Sequence, residues 1–170
     1  TERAICSVRR AAKKAGLPVT VLGNGSNVLV RDEGIRGVVV CIGTEYGSVS
    51  VEGTQVKAQT GALLSVLSSA AWHAGLTGLE FAGGIPGSLG GALFMNAGAY
   101  DGQMEDVVVS SRYYDAKIDA VGTLKAEEHA FAYRSSVFKS HPEWIALSAV
   151  LQLKQGEPTE IRAKMDDFAQ

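Results

Sequence analysis

The chain has 170 residues, 16 Lys and Arg against 18 Asp and Glu, and a formal net charge of −2, which bounds it to one domain or two small ones with enough length for a stable core. Apart from Arg9-Arg10 and Lys13-Lys14 the basic residues are scattered, so nucleic acid is not an expected partner. Cys6 and Cys41 stand alone without a CxxC pair, and His73, His129 and His141 have no ligand-like spacing, so a reduced, cytoplasmic, metal-free protein is expected.

In chain order, Thr1 is a plausible N-cap for apolar residues at helical spacing (Ala4, Ile5, Val8, Ala11, Ala12, Ala15), and Gly16 with Pro18 supplies the stop, so residues 2–15 read as a surface helix. This first segment is amphipathic and lacks the apolar stretch of a signal peptide. Short strands are expected at 19–22, 28–30, 38–42, 48–52 and 55–59, separated by glycine-bearing turns. Leu63, Leu64, Leu67, Ala70, Ala71 and Ala74 mark a second helix ending at Gly75, and strands follow at 107–114, 122–125 and 145–153. Glu157-Pro158 opens a last helix expected to be still running at Gln170. With no Met before Thr1, the chain is expected to begin and end inside a longer one. A composition shift near 101–106 divides the expectation into residues 1–104 and 105–170.

Between Glu80 and Asp101 lie twenty uncharged residues, six of them glycine, within GLEFAGGIPGSLGGALFMNAGAY from Gly78. About 20 such residues could span a bilayer, but Pro86, Ser88 and Asn96 interrupt the stretch, and each interior Gly costs a helix roughly 1 kcal/mol relative to Ala. No membrane partner is expected. Close helix packing would account for Gly87, Gly90 and Gly91 but leaves Gly83-Gly84 and Asn96-Ala97-Gly98 unexplained. A short helix with bare amides at both ends suits a flat, hydrogen-bonding ligand.

Gly23-Asn24-Gly25-Ser26-Asn27 lies between the β-like runs VTVL and VLVR. Its simplest reading is a β-hairpin turn on Asn-Gly; the functional reading is a phosphate loop, whose amides form an anion-binding concavity with Ser and Asn as added donors. It is not a Rossmann fingerprint, because position 28 is Val and a strand-like run follows. Tyr133-Arg134-Ser135-Ser136, close after Glu127-Glu128, reads most simply as a surface ion pair worth at most about 1 kcal/mol. An arginine can also hold a carboxylate and stabilise negative charge developing on it. Trp72, His73 and Trp144 read as packing or cap residues.

GNGSN with NVLVRDEGIRGVVV, then the glycine segment, then AYRSSVFK, in this order and spacing, closely resemble the UDP-N-acetylenolpyruvoylglucosamine reductase family over nearly the whole chain. The resemblance implies an α+β, FAD-binding fold of the vanillyl-alcohol-oxidase (PCMH) type, with two small subdomains gripping an extended FAD. It implies cofactor contacts from Gly23, Asn24, Gly25, Ser26 and Asn27 at the pyrophosphate. Ile85, Pro86, Gly87, Ser88, Gly90 and Gly91, with Asn96, Ala97 and Gly98, would lie along the flavin. Arg134 falls on the family's catalytic arginine. In that family NADPH reduces FAD, hydride passes to the enolpyruvyl group of a nucleotide sugar in peptidoglycan precursor synthesis, and the resulting enolate needs stabilisation and a proton. No protein partner is implied. The proton-donating Ser and the catalytic Glu are expected in segments beyond Gln170, and added β structure before the segment equivalent to 1–15. Ser135 replaces the more usual Asp after the arginine. Two other readings remain at this point: a non-catalytic flavin-binding fragment, and another flavoprotein oxidoreductase of the same superfamily.

Overall fold

The computed structural model describes residues 1–169. Helix α1 (Glu2–Lys14) starts as expected: Thr1 Oγ1 accepts from the Ala4 amide at 3.3 Å, while Glu2 in the first turn and Lys13 and Lys14 in the last oppose the helix dipole. Then come β1 (Val19–Leu22) and β2 (Val38–Cys41), β3 (Val49–Glu52), β4 (Gln55–Gln59), α2 (Leu64–His73), β5 (Leu76–Thr77) and α3 (Leu89–Met95). The rest of the chain forms β6 (Gly98–Ala99), β7 (Gly102–Gln103), β8 (Val108–Asp115), β9 (Ala120–Lys125), α4 (Val137–Ser140), β10 (Trp144–Gln152), β11 (Lys154–Gln155) and α5 (Pro158–Phe168).

Two expectations are corrected by pairing. Strand β1 pairs with β2 in parallel, Val19 opposite Val38 through Leu22 opposite Cys41. A two-residue turn can join only antiparallel strands, so the segment 23–37 is a crossover loop and not an Asn-Gly hairpin. Residues 28–30 accordingly form no strand, and Leu29 is 99% exposed. The last helix ends at Phe168 with Ala169 as its C-cap; the expected continuation to Gln170 lies outside the described residues.

The main sheet has the order β3-β4-β10-β8-β9, antiparallel throughout. Strands from before residue 105 therefore pair directly with strands after it, and β4 lies against β10. Along β10, Ile145, Leu147, Ala149 and Leu151 are buried in alternation, the pattern of a central strand with one face on the core. Ala149 and Leu151 join the larger core with Val56, Leu64, Leu67, Leu89 and Leu93. Ile145 and Leu147 join a smaller one with Ile5, Ile42, Tyr46 and Tyr114. The smaller core docks α1 and β2 on one end of the sheet, clamped by Arg10 to Asp119 and Arg112 to Glu2, each at 2.8 Å. No helix among the described residues is long and apolar enough to cross a membrane, and no group of His, Cys, Asp and Glu there could hold a metal ion.

A cavity between the glycine loop and the third helix

The parallel pairing of β1 and β2 sends the Gly-rich loop across to α3, and between them lies a cavity of about 1140 Å³. Small-molecule sites commonly occupy about 300–1,000 Å³, so this one suits a large, extended ligand. All the expected site residues line it: 23–27 on one wall, 85–88, 90 and 91 on the wall adjoining it, 96–98, and Arg134. Asn24 Nδ2 donates to Pro86 O at 2.8 Å and ties the two walls together.

The start of α3 is less bare than the sequence implied. The Leu89 and Gly90 amides donate to Ala62 O at 2.8 Å and Thr60 O at 2.9 Å, so two of the four orphan donors of this helix are already satisfied by the chain. Ser88, the N-cap, makes no side-chain cap bond. Its hydroxyl is buried and has no partner among the described residues, which is costly unless something else completes it. The adjacent glycines differ from each other. A Cβ at Gly90 would meet Thr60 Cβ at 3.1 Å and Thr60 O at 3.3 Å, whereas one at Gly91 would meet nothing within 4 Å.

At the other end of α3, Asn96 takes the left-handed conformation (φ 44°) and is buried. Its side chain is committed to the protein: Nδ2 donates to Gln103 Oε1 at 3.2 Å and Ala132 O at 3.3 Å, and Oδ1 accepts from the Glu105 amide at 2.9 Å. Asn96 thus joins this wall to the segment carrying Arg134.

Ala132 and Ser135 exchange backbone hydrogen bonds of 3.0 and 3.1 Å around Tyr133 and Arg134. Arg134 has φ 49°, where a turn normally carries Gly or Asn; a non-glycine residue held there costs of order 1–3 kcal/mol. The expected surface ion pair with Glu127 or Glu128 is not formed among the described residues. Arg134 Nη2 instead donates to Asn27 Oδ1 at 3.2 Å, and Glu128 Oε2 accepts from the Lys125 amide at 2.7 Å. Thr60, Leu64, Phe138 and Trp144 also line the cavity. Sequence reasoning missed them as lining residues, because their apolar or small side chains carry no local signal beyond packing.

Residues 1–121 match the family described as FAD binding domain. The chain belongs to that family. Among curated relatives of this FAD-binding domain, the UDP-N-acetylenolpyruvoylglucosamine reductase of Clostridioides difficile is 46% identical over 169 residues, 99% of this chain and 55% of that protein. The same-named protein of Lactococcus lactis subsp. cremoris is 48% identical over 166 residues, 98% and 54%. The chain thus spans about half the length of the curated relatives it matches. The crystal structure of UDP-N-acetylenolpyruvylglucosamine reductase from Thermus caldophilus superposes with a TM-score of 0.80 at 36% identity, covering 95% of this chain and 57% of that one. Cholesterol oxidase from Brevibacterium sterolicum (TM-score 0.67, 14% identity) shares the fold. The expected α+β, PCMH-type FAD-binding fold is therefore the observed one.

Proposed function

We propose that the chain is the FAD-holding part of a cytoplasmic, bacterial, NADPH-dependent reductase that converts UDP-N-acetylglucosamine enolpyruvate to UDP-N-acetylmuramate for peptidoglycan synthesis. The observation that carries this reading is that Arg134 opens onto the same cavity as the 23–27 loop. The residues present fit FAD: the unpartnered Ser88 hydroxyl supplies a donor to a phosphate or ring oxygen, and the open face at Gly91 admits a flat group. Gly23, Gly25 and Ser26, with Asn24 as the tie to Pro86, hold the pyrophosphate through amides and short polar side chains. Residues 85–88, 90 and 91 with 96–98 flank the flavin, with Asn96 serving through its backbone and as a support. Two subdomains grip the cofactor; in place of the division at 104 and 105 read from the sequence, we draw it along the sheets, with α1, β1 and β2 in one and the five-stranded sheet in the other.

When bound, FAD supplies the hydride that reduces the enolpyruvyl double bond. Arg134 holds the substrate carboxylate and stabilises the negative charge that grows on the substrate, acting as a cation at the edge of the cavity. A fixed guanidinium needs no reorganisation as that charge develops, and the Arg134 turn is already tied to both walls. The proton must come from outside this chain, which alone is expected to bind flavin without reducing the substrate.

Titration with FAD and with FMN tests the cofactor assignment. A pyrophosphate loop predicts at least tenfold tighter binding of FAD, about 1.4 kcal/mol; equal or tighter FMN binding would overturn it.

A further inference from the structure

We propose that Lys139 is a positioning residue for Arg134; this rests on the reading of Arg134 given above. Lys139 Nζ donates to Arg134 O at 2.5 Å and sits 5.8 Å from the centre of the Phe94 ring on the cavity wall. Ser136 Oγ donates to Phe94 O at 3.0 Å. The one-turn helix α4 is thereby pinned to α3 at the point where the Arg134 turn leaves it.

The turn needs such a pin. A residue with a Cβ at φ 49° relaxes toward negative φ unless its surroundings over-determine it, and that rotation would swing both its carbonyl and its side chain. Arg134 itself is exposed, so packing does not hold it. The carbonyl is fixed by the ammonium of Lys139, a charge-assisted bond stronger than a neutral one. Among the described residues the guanidinium makes one hydrogen bond, to Asn27. Lys139 therefore adds a hold on the Arg134 carbonyl to a turn closed on either side by the Ala132–Ser135 bonds, and the backbone aims the guanidinium into the cavity.

The test uses this chain, flavin-free, by NMR of the Arg134 Nε–H group. In the unaltered chain its order parameter is expected near that of a rigid group; in Lys139→Met it is expected to fall below about 0.6, the flexible range, with order parameters in the β-sheet unchanged. Lys139→Arg, which keeps a cationic donor, is expected to restore it. A thermal-melt cycle gives the second arm. Lys139→Met is expected to lower Tm when Arg134 is present but not in an Arg134→Gly background, because glycine adopts positive φ without support. An unchanged Arg134 order parameter in Lys139→Met would overturn the proposal. So would an equal Tm loss in both backgrounds, or failure of Lys139→Met to fold, each of which would assign the lysine to the fold alone. Neither arm requires flavin, so a failure of FAD binding would sink the functional reading and leave this result standing.

Discussion

Arg134 Nη2 and Asn27 Oδ1 meet at 3.2 Å, joining two loops 107 positions apart in the sequence. One loop follows β1 and the other follows β9, and both line the cavity. Both partners are exposed, and a net hydrogen bond of this kind contributes about 1 kcal/mol at most. Asn27→Ala is therefore expected to lower Tm by no more than a few degrees. A larger loss by calorimetry would give the bond a structural role beyond its geometry.

Arg134→Ala should separate binding from chemistry. In the chain itself FAD affinity is expected to stay within about threefold, since the guanidinium's bond to the 23–27 loop is a single exposed one at Asn27. Under the proposed function, in a full-length reductase carrying this segment, stopped-flow reoxidation by the enolpyruvyl substrate is expected to slow by about 10²–10³-fold, the range for removing one electrostatic stabiliser, with the NADPH half-reaction unchanged. Slowing confined to the NADPH half-reaction would refute the assignment.

Neighbouring glycines should respond in opposite ways. Gly90→Leu forces a side chain into Thr60, an overpacking that costs about 1–3 kcal/mol and lowers the apo Tm. Gly91→Leu fills open space, so its apo Tm should hold while FAD affinity drops at least tenfold. Calorimetry of the apo variants and flavin titration read the two effects separately; the reverse pattern would exchange the packing and ligand roles.

Burial lowers the pKa of His129, whose ring accepts no solvent: Nδ1 bonds Lys125 O at 2.8 Å and Nε2 meets Ser111 Oγ at 2.7 Å. Because the folded pKa lies below the unfolded value near 6.5, the unfolded chain binds more protons once pH falls through that value. Stability is thus fully present above about pH 7 and declines as pH drops below about 6.5. Urea unfolding at pH 7.5 and 5.5 should show this loss, and His129→Gln should remove most of it. Equal losses in both proteins would point to another group.

Asp119 is held down at about 2 by hydrogen bonds from Arg10 and Tyr114 and by the Arg10 charge. A depressed carboxylate contributes stability above its unfolded value near 3.9, lost as pH falls toward about 2. The α1 clamp is accordingly expected to release in that window. Tyr114→Phe, which removes the second donor to Asp119 and keeps the Arg10 bond, should move the release upward in pH, monitored by amide exchange in α1; no shift would show that the clamp does not hold the helix.

The sequence determined the local elements where a single periodicity and a stop signal coincide. The Thr1 cap, the α1 face, β1 and β4 at their observed bounds, and the presence of a short helix in the glycine segment are of this kind, because each is decided by residues within a few positions of one another. Pairing was decided elsewhere. Val28-Leu29-Val30 carries the side chains of a strand, but a strand needs a partner ladder, and β1 found its partner in β2, leaving this triplet in a crossover loop. The same physics joined β4 to β10 across the expected boundary at 104 and 105, since antiparallel edges pair by proximity in the folded chain and not by nearness in sequence. Ser88 and Asn96 looked alike as polar residues flanking a glycine helix. Only the tertiary structure separated them, by bringing Gln103, Glu105 and Ala132 within hydrogen-bond reach of Asn96 and leaving the buried Ser88 hydroxyl without a partner among the described residues.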